Sequence, residues 1–567
     1  MSTHAELVFT GGPVYTADAT GRRMVPATGP GGRPASAVAV AGGVITAVGD
    51  AADDHFRELT GPRTEVVDLR GRALLPGFQD AHVHPAFAGV TMIGCNLIGA
   101  RTLDEALARI SAYARAHPEK EWIAGGGWRM EWFDRGTPDR RALDAVVGDR
   151  PAYLLNRDCH GAWASSRALA LAGIDARTPD PADGRIEREE DGGPQGSLHE
   201  GAATLVGHLV PELDLAERVA GLLLAQQHLH ERGITAWQDA IVGEYLGSLD
   251  PLPAYLAAAA SGRLTARVQG ALWWDRGRGD EQLPEILARR ERGQVGRFRA
   301  TTVKIMQDGV AENFTAGLID PYLDPAGCHP HGASDHGAGL SYVDPDALRE
   351  YVTRLDAEHF QVHLHAIGDR AVRESLDAIA AARAANGVTG NRHHIAHLQV
   401  VHPDDVPRFA ALGVTANLQA LWAAHEPQMD ELTIPFIGPE RAARQYVFRD
   451  LLASGARLAA GSDWSVSSAS PLRAVHVAVN RTLQGATGAA AEPFLPGQSL
   501  ELGEALAAYT LGSAYVNHLD DITGTIETAK LADLVVLDRD PFEHPAADIG
   551  STGVHQTVVN GETVFRA

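Results

Sequence analysis

The fold and the candidate chemistry both depend on the stretch Leu74-Leu75-Pro76-Gly77-Phe78-Gln79-Asp80-Ala81-His82-Val83-His84-Pro85. Its apolar start predicts a buried strand, and Pro85, which cannot donate a ladder hydrogen bond, fits the end of that strand. Side chains alternate along a strand, so His82 and His84 project to the same side, where two imidazoles can bind one metal ion. Taken alone, such a pair is as typical of two hydrogen-bonded histidines, so the rest of the chain has to decide.

Composition excludes several classes of function. The 567 residues are 45% hydrophobic and 21% charged, which predicts a globular protein with a large core. A formal net charge of −23 argues against a nucleic-acid partner and against binding to an anionic membrane surface, and indicates a solvated acidic exterior. We find no apolar run near the roughly 20 residues that a membrane helix needs and no signal-peptide pattern at the start. A small-molecule substrate is the expected partner, and a homodimer stays open as an assembly hypothesis.

Cysteine usage indicates a compartment. Cys95, Cys159 and Cys328 are scattered, odd in number and without a CxxC pair. Nothing in this spacing suggests a disulfide framework, so a reducing and therefore cytoplasmic location is predicted.

The middle of the chain alternates short β-like runs with helical stretches, the pattern of parallel β/α units. Counting the strand around His82, eight such runs occur, which predicts a TIM barrel. The other seven are 233–239, 266–271, 301–306, 361–365, 393–397, 413–417 and 456–463. Residues 86–230 would then be a large insertion after the first strand, mostly helical in pattern. Residues 320–343, an irregular segment after the fourth strand, are predicted to lie at the barrel mouth as a lid.

Both ends of the chain look different from this middle. Residues 1–72 and 521–567 carry short β-rich runs separated by glycines. These ends predict one small β-sandwich built from both termini, flanking a barrel domain at 73–520.

Metal-ligating residue types fall at the carboxyl ends of the predicted barrel strands, the face that carries the active site in this fold. Each has an ordinary alternative, such as a hydrogen-bonded histidine, a lysine on a turn or an aspartate as a helix N-cap. Together they come from five strands that a barrel brings around one mouth, which predicts a single site. The set is His82, His84, Lys304, His365, His397 and Asp463.

Several motifs carry a resemblance that covers essentially the whole chain. They are 76–84 (PGFQDAHVH), 158–169 (DCHGAWASSRAL), 303–309 (VKIMQDG), 365–371 (HAIGDRA), 394–397 (HIAH), 461–463 (GSD) and 524–536 (GTIETAKLADLVV). The sequence resembles the amidohydrolase superfamily, and within it the YtcJ-like branch that includes N-substituted formamide deformylases. One residue departs from the pattern, because Ala396 stands where the family usually has a glutamate before the sixth-strand histidine. That departure leaves the ligand intact but puts a supporting contact in doubt.

The resemblance implies a metal site with His82, His84, His365, His397 and Asp463 as ligands, and implies that Lys304 is carboxylated by CO2 to bridge two metals. Physical chemistry agrees, since a buried lysine is costly as a cation, whereas its carbamate is an anionic oxygen ligand. These ligands suit one or two Zn2+ ions, although other divalent metals stay open. Lys304 and Asp463 are the predicted catalytic residues, with Asp463 taking a proton from water and passing it to the leaving amine.

The substrate pocket is less clearly marked. His160, Trp128, Trp163 and Trp422 are the candidate substrate contacts, although the tryptophans are equally typical of a structural core. The predicted function is a metal-dependent hydrolase of non-peptide carbon–nitrogen bonds in amide-like substrates. One alternative is a deaminase of the same superfamily, but single-metal deaminases on this fold do not use a carboxylated lysine, so Lys304 argues against it. The other is a non-catalytic scaffold relative, which would be expected to lack ligands.

Overall fold

A computed structural model describes residues 4–323 and 337–567. Its central element is a parallel sheet of eight strands connected by helices, and the predicted (β/α)8 barrel is confirmed. The barrel strands, in chain order, are Phe78–Val83, Ile234–Val242, Arg267–Trp273, Phe298–Met306, Gln361–Ala366, His394–His397, Thr415–Leu418 and Arg457–Ala460.

The barrel interior is built from buried strands inside a helical layer. Every residue of Phe78–Val83, Ile234–Val242 and Gln361–Ala366 is buried, as expected for parallel strands covered on both faces. The covering helices are Pro85–Ile93, Leu215–His230, Leu252–Ala260, Leu283–Arg292, Pro345–Ala357, Asp369–Asn386, Val406–Leu412, Ile434–Ala442, Phe448–Ala453, Pro471–Asn480, Leu502–Ala507 and Ser513–Val516.

The first and last strands of the barrel meet through the residues that follow them. The backbone N–H of Asp463 donates to the carbonyl of His82 at 2.8 Å, and the N–H of His84 donates to the carbonyl of Trp464 at 2.8 Å. The buried Asp80 carboxylate reinforces the junction by accepting from the N–H groups of His82 and Ser462. Barrel closure therefore places His82, His84 and Asp463 side by side.

The insertion after the first strand contains more sheet than its sequence pattern indicated. Six strands pair in the spatial order Gly184–Arg188, Pro194–Glu200, Gly161–Ala164, Ala152–Asn156, Ile123–Trp128, Cys95–Asn96. Helices Leu103–Ala116, Arg140–Val147, Ser166–Leu171 and Gly201–Gly207 accompany them. The expectation of a mostly helical segment is wrong, because strands such as Ile123–Trp128, with three consecutive glycines, show little β-propensity of their own.

Two four-stranded sheets form the small β-sandwich. One holds Val44–Gly49, Ala37–Ala41, Leu7–Thr10 and Glu65–Asp68. The other holds Glu562–Arg566, Val554–Val559, Leu534–Leu537 and Leu74–Pro76. Apolar residues from both sheets, Phe9, Val38 and Val536 among them, share one core.

The sequence predicted no membrane helix and a lid over the barrel mouth. Among residues 4–323 and 337–567, no helix combines the length and apolar character that crossing a bilayer requires. The lid predicted at 320–343 falls largely outside the described residues, and it stays a prediction.

Candidate metal centre

His82, His84 and Asp463 form the closest group of metal-ligating atoms at the barrel mouth. One atom from each lies within 4.8 Å of the others. The Asp463 Oδ1 atom is 3.0 Å from His84 Nε2 and 3.3 Å from His82 Nε2. Strand alternation puts the two histidines on one face, as the sequence predicted, and barrel closure supplies the carboxylate.

His365 and His397 extend the group from the fifth and sixth strands. Their ring centroids are 4.4 Å apart, and His397 Nδ1 lies 4.0 Å from Asp463 Oδ2. The Asp308 carboxylate, 3.1 Å from His365 Nδ1, fixes the orientation of that ring and leaves its Nε2 free to serve as a ligand. The same carboxylate accepts backbone N–H bonds from Ile367 and Gly368, so the support is itself rigid.

Lys304 lies on the fourth strand next to His363. Its Nζ is 3.3 Å from His363 Nε2, and that atom is 2.9 Å from His82 Nδ1. Burial lowers the pKa of Lys304 to about 7, partly opposed by the nearby Asp463 charge. The lysine therefore lies where a cation is costly, which fits conversion to an anionic ligand.

The imidazoles around Lys304 are held neutral. Burial, followed by the Lys304 charge, lowers the pKa of His82, His363 and His365 well below the ordinary value, and burial and His365 do the same for His397. Neutral imidazole is the form that binds a metal ion. The electrostatics of the cluster thus prepare these side chains as ligands.

Two of the candidate ligands occupy strained backbone positions. The φ angles of His397 and Asp463 are +78° and +54°, in the left-handed region that side-chain-bearing residues rarely adopt. Such strain persists where the surrounding structure fixes it and concentrates at functional sites. Here it turns both side chains into the mouth at the point where their strands end.

His160 reaches the cluster from the insertion. Its ring centroid lies 5.6 Å from that of His365, and its Nδ1 is 3.0 Å from Glu200 Oε1. Burial alone would lower the pKa of His160, but the charge and hydrogen bond of Glu200, together with the Asp158 and Asp463 charges, outweigh burial and raise that pKa. Burial opposes the shift of Glu200, but the charge and hydrogen bond of His160, with smaller contributions from Arg276 and Thr315, lower the pKa of Glu200 to about 2. The Glu200 carboxylate therefore holds the His160 imidazole, a hydrogen-bond donor, beside the candidate ligand His365.

The three tryptophans lie elsewhere. Trp128 and Trp163 are fully buried in the insertion, where their Nε1 atoms donate to the carbonyls of Leu154 and Asp139. That placement is the structural core weighed as the alternative from sequence. Trp422 is half-buried with the Arg157 guanidinium 5.8 Å from its ring centroid, at the edge of the mouth.

Three supporting residues escaped the sequence interpretation. His363 had a signal, because it lies two positions before His365 and therefore projects to the same side of the strand. Gln238 and Glu200 had none, since their partners come from segments far away in the chain: Gln238 Oε1 lies 2.8 Å from His363 Nδ1, and Glu200 meets His160. Two aspartates that follow ligand-bearing strands differ in their contacts, because Asp308 supports His365, whereas Asp369 accepts the backbone N–H of Ile319.

The residues present fit a divalent metal. Neutral imidazoles and a carboxylate form the donor set, which is the chemistry that Zn2+ and similar ions prefer. Within the described residues the buried Nδ1 atom of His84 has no hydrogen-bond partner, which is unusual for a polar atom in a protein interior. The hydrogen bonding of the His84 ring is therefore limited to its Nε2 atom, which faces Asp463 and would be the atom that binds an ion.

The fold and the site together define a class. The protein is a (β/α)8 barrel with a candidate metal centre of imidazoles, a lysine and a carboxylate at one mouth. Within that class the chain belongs to the amidohydrolase family, whose model matches residues 65–565.

Curated relatives extend over nearly the whole length. The chain is 30% identical to protein LONG AFTER FAR-RED 3 of Arabidopsis thaliana, covering 99% of this chain and 92% of that protein. It is 28% identical to the putative amidohydrolase YtcJ of Bacillus subtilis, covering 98% and 99%. It is 29% identical to the N-substituted formamide deformylase of Arthrobacter pascens, covering 93% and 94%.

A solved structure agrees with the fold. An uncharacterised metal-dependent hydrolase from Pyrococcus horikoshii superimposes with a TM-score of 0.70 at 26% identity, covering 95% of this chain and 99% of that one. The resemblance predicted from the motifs, including the YtcJ-like and formamide deformylase-like branch, is confirmed.

Proposed function

We propose that the protein is a metal-dependent hydrolase that cleaves a non-peptide carbon–nitrogen bond in an amide-like substrate. The observation that carries the proposal is the group formed by His82, His84 and Asp463 beside the buried Lys304. The name of the Arthrobacter relative, an N-substituted formamide deformylase, supports this bond type.

The chain supplies a complete ligand set for one or two ions, with Zn2+ as the proposed metal. The residues that would hold them are His82, His84, His365, His397 and Asp463. Lys304, as the carbamate formed when its neutral amine adds CO2 and releases a proton, would contribute an anionic oxygen ligand between them. A divalent cation, when bound, polarises the amide carbonyl and makes water nucleophilic near neutral pH.

Asp463 is proposed to move the proton. Its carboxylate lies within hydrogen-bond distance of two imidazoles and at the barrel mouth, so it is positioned to accept a proton from the attacking water. The same carboxyl then protonates the departing nitrogen, without which an amine is a poor leaving group. His160, anchored by Glu200, is proposed to contact the substrate from the insertion side.

A substrate screen with metal analysis tests the proposal. Purified protein is assayed for metal content and for release of amine from N-substituted formamides, N-acyl amino acids, aryl amides and dipeptides, with ammonia measured separately. We expect stoichiometric divalent metal and amine release from at least one non-peptide amide. The His82→Ala/His84→Ala double variant should lose both metal and turnover while staying folded.

The outcomes separate the alternatives. Release of ammonia from an amino-substituted substrate instead of an amine from an amide would favour a deaminase. A protein that purifies without metal and cleaves nothing in the panel would favour a scaffold. Full activity of the double variant with unchanged metal content would contradict the site assignment.

A further inference from the structure

A large cavity lies next to the candidate metal centre, and we propose that it holds an elongated, uncharged apolar arm of the substrate. The inference rests on the proposed function and deepens it, because it names the class of amide: one carrying a long alkyl or aryl-alkyl group on one side of the scissile bond.

One end of the cavity is lined by residues that neighbour the metal centre. The cavity has a volume of about 700 Å3, and Phe87, Cys159 and Ser465 are among the residues that line it. The Phe87 ring centroid is 6.4 Å from that of His84. Ser465 follows Asp463 by two positions, and Cys159 directly precedes His160. The proposal accordingly places the amide at the metal centre and its substituent in this neighbouring space.

The walls are apolar and incompletely covered. Val90 and Ile93, on the helix Pro85–Ile93, line the cavity and are 37% and 39% exposed, which is unusual for large aliphatic side chains beside a barrel. Ile98 and Leu155 line it from the insertion side. Apolar surface kept open at the wall of an enclosed space is typical of a ligand site, because ligand burial removes that surface from water.

Charged residues at the outer end of the cavity determine which end group the arm can carry. Glu119, Glu121, Glu212 and Glu217 line the cavity, opposed by Lys120, Arg218 and Arg157, of which Arg157 already contacts Asp158. Lys120 is already paired with Glu217 at 3.8 Å. Carboxylates exceed cations at this rim, so an arm that ends in a carboxylate is disfavoured, whereas a neutral or cationic end is accepted.

Two homologous substrate series test the proposal. The first is N-alkylformamides from methyl to octyl, which carry the arm on the amine. The second is N-methylalkanamides from acetamide to nonanamide, which carry it on the acyl group. In the series whose arm enters the cavity, kcat/KM should rise by up to about fourfold per methylene, the equivalent of about 0.8 kcal/mol each, until the space is filled. A flat dependence in both series would overturn the proposal.

Wall variants connect the chain-length effect to this cavity. Val90→Trp and, independently, Ile93→Trp add an indole to half-exposed wall positions, and the ratio of octyl to methyl kcat/KM should fall at least tenfold in each. Leu171→Trp is the matched control, because Leu171 is 46% exposed on an insertion helix and does not line the cavity. Equal ratios in the wall variants and the control would contradict the assignment.

An octyl arm ending in a carboxylate should be a weaker substrate than its uncharged counterpart, and the reverse order would refute the charge argument.

Binding without turnover separates this inference from the proposed reaction. N-Octylmethanesulfonamide, which a hydrolase of amides does not cleave, is titrated calorimetrically into wild type and into Val90→Trp. Binding to wild type that weakens at least tenfold in the variant supports the cavity even when no amide in the panel is cleaved, in which case the proposed reaction fails alone. Equal binding to both proteins, or none to either, would overturn the cavity assignment while leaving the reaction intact.

Discussion

Asp463 carries two roles in the proposed site, since it is a candidate ligand and also the group that moves the proton. Asp463→Asn keeps the shape and one oxygen donor but removes the ability to take up a proton. We expect kcat for a cleaved amide to fall by about 10^2-fold or more, the scale of general acid–base catalysis, with metal content largely retained. Asp404→Asn, at a side chain 83% exposed, is the control. A nearly normal rate in a metal-loaded Asp463→Asn enzyme would show that another group moves the proton.

Lys304 is expected to be carboxylated. Only a neutral amine adds CO2, and burial lowers the pKa of Lys304 to about 7, so above that pH the neutral form predominates. Metal-loaded protein equilibrated with 13C-labelled bicarbonate should show a carbamate carbon signal that Lys304→Ala lacks. The variant should lose activity, and acetate or propionate should partly restore it, whereas Lys304→Glu should keep some metal. An unmodified amine beside an occupied metal site would refute the bridge and favour a single-metal mechanism.

Sequence predicted that the candidate ligands meet at one barrel mouth, but it predicted few of the residues that support them. The six residues from His82 to Asp463 were recognisable because a barrel forces the carboxyl ends of its strands to one mouth, so position along the strand was enough. The contact between Asp308 and His365 is not readable from sequence, because a carboxylate after a strand is equally able to bind backbone N–H groups, and Asp308 does both.

Between elements, one buried pair within the insertion positions His160 against the barrel. Glu200 ends the strand Pro194–Glu200 and holds His160 near His365. Glu200→Gln removes the charge that His160 faces, and loss of one partner of a buried pair typically costs about 3 kcal/mol or more. We expect a lower urea midpoint at pH 7 and a lower kcat with unchanged metal content. Glu65→Gln, at a side chain 55% exposed, should change neither.

The pH dependence of that pair has a definite sign. The pKa of Glu200 is lowered from its ordinary 4.5 to about 2, so its stabilisation is present above pH 4.5 and is lost as pH falls towards 2. The difference in urea midpoint between wild type and Glu200→Gln should therefore shrink between those pH values. A difference independent of pH would indicate a packing effect in place of the charge.

Close packing of two helices sets the position of His84. The helix Pro85–Ile93 begins directly after His84 and packs against Leu215–His230, whose start is fixed by a capping box between Asp214 and Glu217. A Cβ added at Gly89 would lie 2.2 Å from the Gly221 carbonyl oxygen, and only a shift of the backbone can relieve it. Gly89→Ala should lower the Tm and weaken metal binding, since the shifted helix carries His84 with it.

Gly497→Ala provides the comparison, because nothing lies within 4 Å of a Cβ there. Its Tm and metal affinity should match wild type. Overpacking of this kind typically costs about 1–3 kcal/mol, so a Gly89→Ala protein indistinguishable from the Gly497→Ala control would contradict the close approach of the helices.

Elements differed in how well their pattern predicted them. The barrel strands are short β-like runs that alternate with helical stretches, and they were located within a few residues, whereas the insertion sheet was missed. Strands such as Gly161–Ala164 and Ile123–Trp128 are short and rich in glycine and alanine, and they become strands because the neighbouring strands supply hydrogen-bond partners. Helices such as Leu103–Ala116, with an N-cap at Thr102, were visible because their pattern is local.

At the scale of the whole molecule, the sandwich ties both ends of the chain to the barrel. The strand Leu74–Pro76 pairs with Leu534–Leu537 and leads directly into the first barrel strand that carries His82. The sandwich therefore anchors the amino end of that strand while Asp463 and Trp464 anchor its carboxyl end. Compositional similarity of the termini indicated a shared sandwich, but the pairing of strands more than 450 positions apart is a tertiary fact that no local pattern contains.

An ion pair between the sandwich and the third barrel strand tests this coupling. Arg267 Nε lies 2.8 Å from Asp533 Oδ2, and the Asp533 side chain is fully buried. Arg267→Ala leaves that carboxylate buried opposite no cation, which typically costs about 3–5 kcal/mol, so the urea midpoint at pH 7 should fall markedly. Arg566→Ala removes the exposed pair with Glu65 within the sandwich, and exposed pairs contribute about 0–1 kcal/mol, so its midpoint should barely move. Equal changes in the urea midpoint for Arg267→Ala and Arg566→Ala would contradict the proposed coupling. If the Arg267–Asp533 contact joins the sandwich to the barrel, the unpaired buried carboxylate of Asp533 must lower the midpoint more than the loss of an exposed pair does.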